Sequence, residues 1–393
     1  MWNNKWVNGA IPALLLHINI GSVYCWSLLK DNIAEKLNVP TANIEVAFSL
    51  AIFFLGMSAA FGGKLVEKNV ALASFIATFF YTSGLLVAGK AVDIHNPILF
   101  IIGYGVIMGI GLGIGYLSPI KTLMLWFKEN KGLAAGIAIA GFGLSKVLFS
   151  PLIVHLLEYT TVSVTLFTMS AIGSILMYIS VLVIKKPEYN EGGGHHLDEH
   201  FNVIEFIMTN ATFKKIWMVF FLNITCGLAI ISFEKNLCLE FGLVMPIAIV
   251  SMLSALFNTI GRIGFATWSD YLKDKTFTYI TFLTLCVVMC LLVFNWTVGV
   301  TVLLLILTVN LGYGAGFSSL PPLIVDLYDV KRLSVIHGLA LSAWGVAGLC
   351  GNSLSNIVVN RLGMGYSWLF IIILILSTED FYSYITVQKR ILS

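Results

Sequence analysis

The sequence predicts an all-α integral membrane protein: twelve transmembrane helices in two pseudo-symmetric six-helix bundles. Three observations carry this. The chain is 58% hydrophobic and only 11% charged, with a mean hydropathy of +0.91, which excludes an ordinary soluble domain. Twelve windows of about 20 apolar residues can be laid along it. Its two halves also repeat one another at a nearly constant offset.

In order, the windows are 8–30, 44–63, 71–91, 97–126, 132–155, 164–184, 213–233, 244–267, 277–296, 300–325, 335–359 and 365–386. The first reads as a retained helix. It is too long for a cleavable signal, and no small-residue cleavage site precedes a soluble domain. The last carries Glu379 and Asp380, two adjacent acids that fit no transport role; either the span ends early or the acids face protein.

Loop charges orient the chain. With the N-terminus inside, fifteen Lys and Arg fall in inside segments and five in outside ones. That bias predicts an inner (plasma) membrane protein with both termini cytoplasmic. The net charge of +3 follows from topology and does not point to nucleic acid. The six cysteines lack metal-ligand spacing and read as small packing residues.

The polar stretch 185–212 divides the chain into bundles 1–184 and 213–393. Its Gly-rich run reads as a linker. His195, His196, His200 and Asp198 sit within it, but a Gly-rich tether fixes no ligand geometry, so no metal is expected. Across the linker, Glu67 and Asp270 stand 203 positions apart, while Pro119 and Pro321, like Gly136 and Gly338, stand 202 apart. Parallel six-helix halves are a transporter architecture, with the substrate near the midplane between them. Glu67 with Lys68, and Asp270, each close a span beside basic residues. These acids are expected to form a cytoplasmic latch that breaks as the halves rock. Spans 4 and 10 are dense in glycine, from Gly103 to Gly115 and from Gly312 to Gly316, which permits close packing and bending.

Three cations lie inside apolar windows: Lys121, Lys146 and Arg262. Each costs about 2.5–3.5 kcal/mol near the bilayer centre, so their retention suggests an anion site. Lys121 either snorkels to the interface or lines the substrate path. Lys146 either supplies a second site charge or is structural. Tyr24, Trp26, Tyr116, Tyr313, Phe317 and Trp344 are candidate cavity aromatics, with lipid-facing packing the alternative for each. Acids are scarce in the windows: Glu45 edges span 2 and Asp326 ends span 10. His17 is the central histidine, either a proton-coupling group or a packed neutral ring.

The stretch GGKLVEK, Gly62 to Lys68, and its echo from Gly261 to Lys275 resemble the loop signature of the major facilitator superfamily. Gly109–Ser145, Val23–Ser27, Gly312–Tyr328 and His337–Asn352 resemble the oxalate:formate antiporter family of organic-anion carriers. The resemblance covers nearly all the chain except the linker and span 12. It implies a helix-8 arginine eight residues before the loop aspartate, matched by Arg262 and Asp270. It also implies a helix-11 lysine in an Ala-Lys-Gly stretch, which here reads Ala343-Trp344-Gly345. One site cation suits a monocarboxylate better than a dicarboxylate, because each unpaired carboxylate is costly in the membrane. Tyr24, Tyr116, Tyr313 and Phe317 match aromatic positions of the family's cavity.

The expected function is therefore alternating-access transport of a small organic anion such as lactate, pyruvate or formate, by exchange or proton-linked, in a monomer without cofactors. Two alternatives are a proton-coupled symporter of a neutral or cationic solute and a non-translocating sensor. The first lacks an evident central acid; for the second, the short tails offer no signalling extension. No phosphate-binding loop suggests a pump, and no catalytic constellation suggests an enzyme.

Overall fold

A computed structural model describes residues 4–187, 201–295, 299–357, 371–379 and 382. Among these residues the backbone is helix and turn, and eleven helices are long and apolar enough to cross a membrane. We number them α1 Lys5–Leu37, α2 Thr41–Lys68, α3 Val70–Asp93, α4 Pro97–Trp126, α5 Lys131–Tyr159 and α6 Val162–Val183. The second set is α7 Ala211–Glu240, α8 Ile247–Ser269, α9 Thr276–Asn295, α10 Gly299–Tyr328 and α11 Leu333–Asn356. A short helix, Val203–Thr209, precedes α7. Each of the first eleven windows overlaps one of these helices along most of its length, with 164–184, for instance, running past the helix by one residue and 244–267 by three. Of the twelfth, 371–379 is helical, and Glu379 is exposed at its end. Asp380 and the linker group His195, His196, Asp198 and His200 lie outside the described residues.

Local chemistry sets the helix ends. Asn69, Asn96, Thr161 and Asn210 each turn a side-chain oxygen onto a first-turn N–H, starting α3, α4, α6 and α7. Asn38 adopts a left-handed φ of 52° and stops α1. Several helices outrun their apolar windows, because backbone bonding continues after the side chains have become polar. The extension of α7 to Glu240 brings in Glu234, which is buried at 8% exposure.

The two most extensive crossings between the first six helices and the rest are α2 with α11 and α5 with α8. They are related by the sequence repeat, and glycine makes both possible. At Gly56 a Cβ would lie 2.6 Å from the Gly345 nitrogen and the Leu341 carbonyl oxygen. At Gly136 a Cβ would lie 3.2 Å from the Arg262 carbonyl oxygen. Backbones approach closely only where one side lacks a side chain. The irregular Gly21–Cys25 turn of α1 faces α5 in the same way.

We expect Gly56→Ala to destabilise the purified protein, since main-chain atoms cannot rotate away from the added methyl; overpacking of this kind costs about 1–3 kcal/mol. Gly264, with nothing within 4 Å of its Cβ position, provides the control. Thermal melts in detergent should show a fall for Gly56→Ala and none for Gly264→Ala. Equal melts would mean that the crossing is not tightly packed.

Candidate functional site

Arg262 is fully buried on α8, between α5 and α10. Its Nε donates to Asn258 Oδ1 at 2.7 Å, one turn back on the same helix, and its Nη1 donates to the Ile139 carbonyl oxygen of α5 at 3.3 Å. Its Nη2 has no partner. The guanidinium carbon stands 5.3 Å from the Phe317 ring centre and 5.7 Å from that of Phe142, within cation–π range.

Around it the rings interlock. Trp344 lies 4.6 Å from Phe317, 5.7 Å from Phe142 and 5.7 Å from Tyr116, centre to centre. Two further donors in this cage are buried: the Tyr116 hydroxyl, which interacts with the Arg262 guanidinium without a well-formed hydrogen bond, and Trp344 Nε1, which has no partner. Tyr24 and Tyr313 join hydroxyls at 3.1 Å, across the two halves. The arrangement therefore offers a guanidinium N–H, a phenol O–H and an indole N–H, walled by aromatic faces. It is donor-rich and cationic, and can take an acceptor group with negative charge.

Six of the expected residues meet here: Arg262, Trp344, Tyr116, Phe317, Tyr313 and Tyr24. Trp26 does not; it packs on Phe48, Phe100 and Tyr104 inside the first half. His17 stacks on Tyr116 with centres 5.0 Å apart, but turns its ring nitrogens away, Nδ1 to the Ala138 carbonyl oxygen and Nε2 to that of Tyr116. Lys146 does not join Arg262 either. One turn beyond Phe142 on α5, it donates to Ser251 Oγ at 2.8 Å and acts electrostatically on Glu234. Asn258 and Phe142 were missed by sequence reasoning. Asn258 was detectable as a polar residue one helical turn before a buried arginine; Phe142 carried no local signal. Glu234 was missed because its apolar window was closed one residue too early.

Both loop acids bind helix starts across the halves. Asp270 accepts from the Gly132 and Leu133 N–H groups of α5, at 2.6 and 2.8 Å. Glu67 accepts from the Ser334 N–H of α11 at 2.7 Å. Free N–H groups and the positive end of the helix dipole favour a carboxylate there. Two expectations need correction. Lys121 neither snorkels nor enters the cage: its Nζ meets Glu67 at 2.5 Å and the Val330 carbonyl oxygen at 2.5 Å, with both side chains nearly buried at 4% and 5% exposure. Satisfied inside the protein, the ammonium has no need of the interface. Lys68 is exposed, because the residue after Glu67 turns about 100° away on a helix. Lys186 instead donates to the Glu67 carbonyl oxygen at 2.7 Å. Burial, and then the nearby Lys121 charge, hold the Lys186 ammonium below its ordinary pKa. Asp326 of α10 adds a further cross-half pair, 3.5 Å from Lys131.

The profile of the Major Facilitator Superfamily matches residues 12–351. An uncharacterized MFS-type transporter, YhjX, of Escherichia coli (strain K12) is 24% identical over 88% of this chain and 86% of its own length. The oxalate:formate antiporter of Oxalobacter formigenes is 23% identical over 93% of this chain and 88% of its own. Apicoplast pyruvate carrier 1 of Toxoplasma gondii is 35% identical, over 28% of this chain and 20% of its own. Among solved structures, the transporter FucP in its outward conformation superposes with a TM-score of 0.68 over 96% of this chain and 98% of that one, at 14% identity. A bacterial homologue of ferroportin gives a TM-score of 0.70 over 97% and 98%, at 11% identity.

The two acid-to-helix contacts should hold the lysine-rich end shut. Asp270→Asn removes the charge and faces one N–H with another donor; losing about 1.4 kcal/mol of differential contact shifts a two-state population about tenfold. With Cys350 replaced by serine, we expect maleimide labelling of a cysteine at Ser118, a buried position of α4 between Tyr116 and Lys121, to accelerate in Asp270→Asn. Labelling at the parent rate would show that Asp270 does not hold this end closed.

Proposed function

The chain belongs to the Major Facilitator Superfamily, and we propose that it is a secondary carrier of small organic monocarboxylates such as lactate, pyruvate or formate, working by alternating access and anion exchange. The observation that carries this is the buried Arg262 guanidinium, which no acid pairs among the described residues, in an aromatic cage beside the Tyr116 hydroxyl that it engages and the unpartnered Trp344 Nε1. Unpaired buried donors are costly, and a carboxylate supplies the acceptor oxygens and the charge they lack. Asn258 and the Ile139 carbonyl fix the guanidinium, so that Nη2 is presented rather than mobile. The similarity to an oxalate:formate antiporter and to a pyruvate carrier supports the substrate class.

In this reading the lysine-rich end is cytoplasmic, and the protein is a monomer of the inner membrane with both termini inside. Glu67 and Asp270 latch that end while the cage is served from the other side; Tyr24 and Tyr313 form the outer rim. Loading, release of the latch and rocking about the two glycine crossings would carry the anion across. Lys146 lies off the cage and is not assigned to the substrate.

His17 favours a second reading, in which a proton travels with the anion. Both its ring nitrogens face carbonyl acceptors. A neutral imidazole has one N–H and satisfies one of them; a protonated ring satisfies both.

Proteoliposome uptake against a panel of carboxylates, with and without internal counter-anion, tests the function and separates exchange from proton-linked entry. We expect Arg262→Ala to abolish uptake at normal expression. Arg262→Lys should retain little, because it loses the planar fork. Wild-type uptake in Arg262→Ala would remove the site assignment. Monocarboxylates should also compete better than oxalate. Tight oxalate binding in a direct titration would show that a second cation reaches the substrate.

A further inference from the structure

His337 on α11 is fully buried, and neither of its ring nitrogens has a hydrogen-bond partner. Such a group in a membrane interior loses solvation and gains nothing in return. Its position is particular. The ring centre lies 6.1 Å from that of Tyr116, on the side of the cage toward the latch. Seven residues farther along α11 is Trp344 with its unpartnered Nε1. Three residues back is Ser334, whose N–H is taken by Glu67 and whose hydroxyl is unpartnered. Positions 334, 337 and 344 fall within about 80° of one another around a helix. One face of α11 therefore carries a line of unused polar groups, about 15 Å long, from the cage to the latch.

We infer that His337 is a second binding station for the substrate carboxylate, between the Arg262 cage and the cytoplasmic latch, used when the latch opens. The inference rests on the carboxylate reading of the cage. A neutral imidazole keeps one N–H, which is enough to donate to a carboxylate oxygen. The station lacks a guanidinium, so it holds the anion more weakly than Arg262 and lets it pass to water. Ser334 continues the line once Glu67 has left the start of α11. Both ring nitrogens of His17 meet carbonyl oxygens; those of His337 meet none.

The test uses the full chain in proteoliposomes of defined orientation, with pyruvate as probe and KM measured separately from each face. We expect His337→Leu to raise the cytoplasmic-face KM about tenfold while the outer-face KM changes less than about twofold. His337→Gln, which restores an N–H donor, should recover most of the difference. KM values unchanged on both faces, or raised equally on both, overturn the station; so does a leucine variant as good as glutamine. If wild-type protein moves pyruvate in neither direction, the carboxylate reading falls and the station with it. If wild type moves pyruvate and His337→Leu behaves like it on both faces, only the station falls.

Discussion

Arg262 brings a full positive charge into a helix interface where, among the described residues, no acid pairs with it. An isolated ion there would be untenable. The surrounding structure makes it tenable in stages. Asn258 neutralises nothing but takes Nε and sets the plane of the fork. The Ile139 carbonyl takes Nη1, and α5 can deliver it only because Gly136 lets the α5 and α8 backbones close on each other. Phe142 and Phe317 offer ring faces, a weak anion surface without a formal charge. Each device lowers the cost without cancelling the charge. In the proposed reading, the guanidinium that these devices leave uncompensated is what would favour an anion.

The cage and the latch are parts of the same rigid elements. Asp270 holds α5 at Gly132, and ten residues on that helix presents Phe142. Glu67 holds α11 at Ser334, and ten residues on that helix presents Trp344. The two pairs are related by the offset of 202 that runs through the sequence. Ten helical residues span about 15 Å. In the proposed mechanism, a helix that swings at its capped end would move an aromatic wall of the cage, coupling site and gate without a side-chain relay. The two latches are not equivalent. Asp270 receives two N–H bonds, whereas Glu67 receives one together with the buried Lys121 ammonium.

The helices were legible in the sequence because the bilayer imposes a length and an apolarity that any window detects. Arg262 was legible because charge is rare in such windows, and the two acids because the repeat marks their position twice. What one strand of text does not record is which faces meet. Phe142 looks like any apolar residue in its window. Lys121 shows its charge but not Glu67, which comes to it from α2. Tyr24 and Tyr313 meet across 289 positions. Lys146 misled for the same reason, since its depth in α5 was readable but its contact with Ser251 on α8 was not.

The position of Trp344 bears on charge selection. The resemblance places a lysine in that stretch, and here an indole stands 4.6 Å from Phe317 with its N–H unpartnered. Replacing an ammonium by an indole keeps a hydrogen-bond donor and removes a charge. The cage thus loses little capacity to orient a carboxylate oxygen, but its compensation for a second negative charge is gone. For a monoanion, one guanidinium balances the ligand and the tryptophan adds a directed bond and an apolar wall. For a dianion, the same geometry leaves one charge desolvated among aromatic rings, where the penalty for an uncompensated ion exceeds what a neutral donor returns. Discrimination would then arise from the charge balance of the closed cage, with hydrogen-bond geometry left free to accept several small carboxylates.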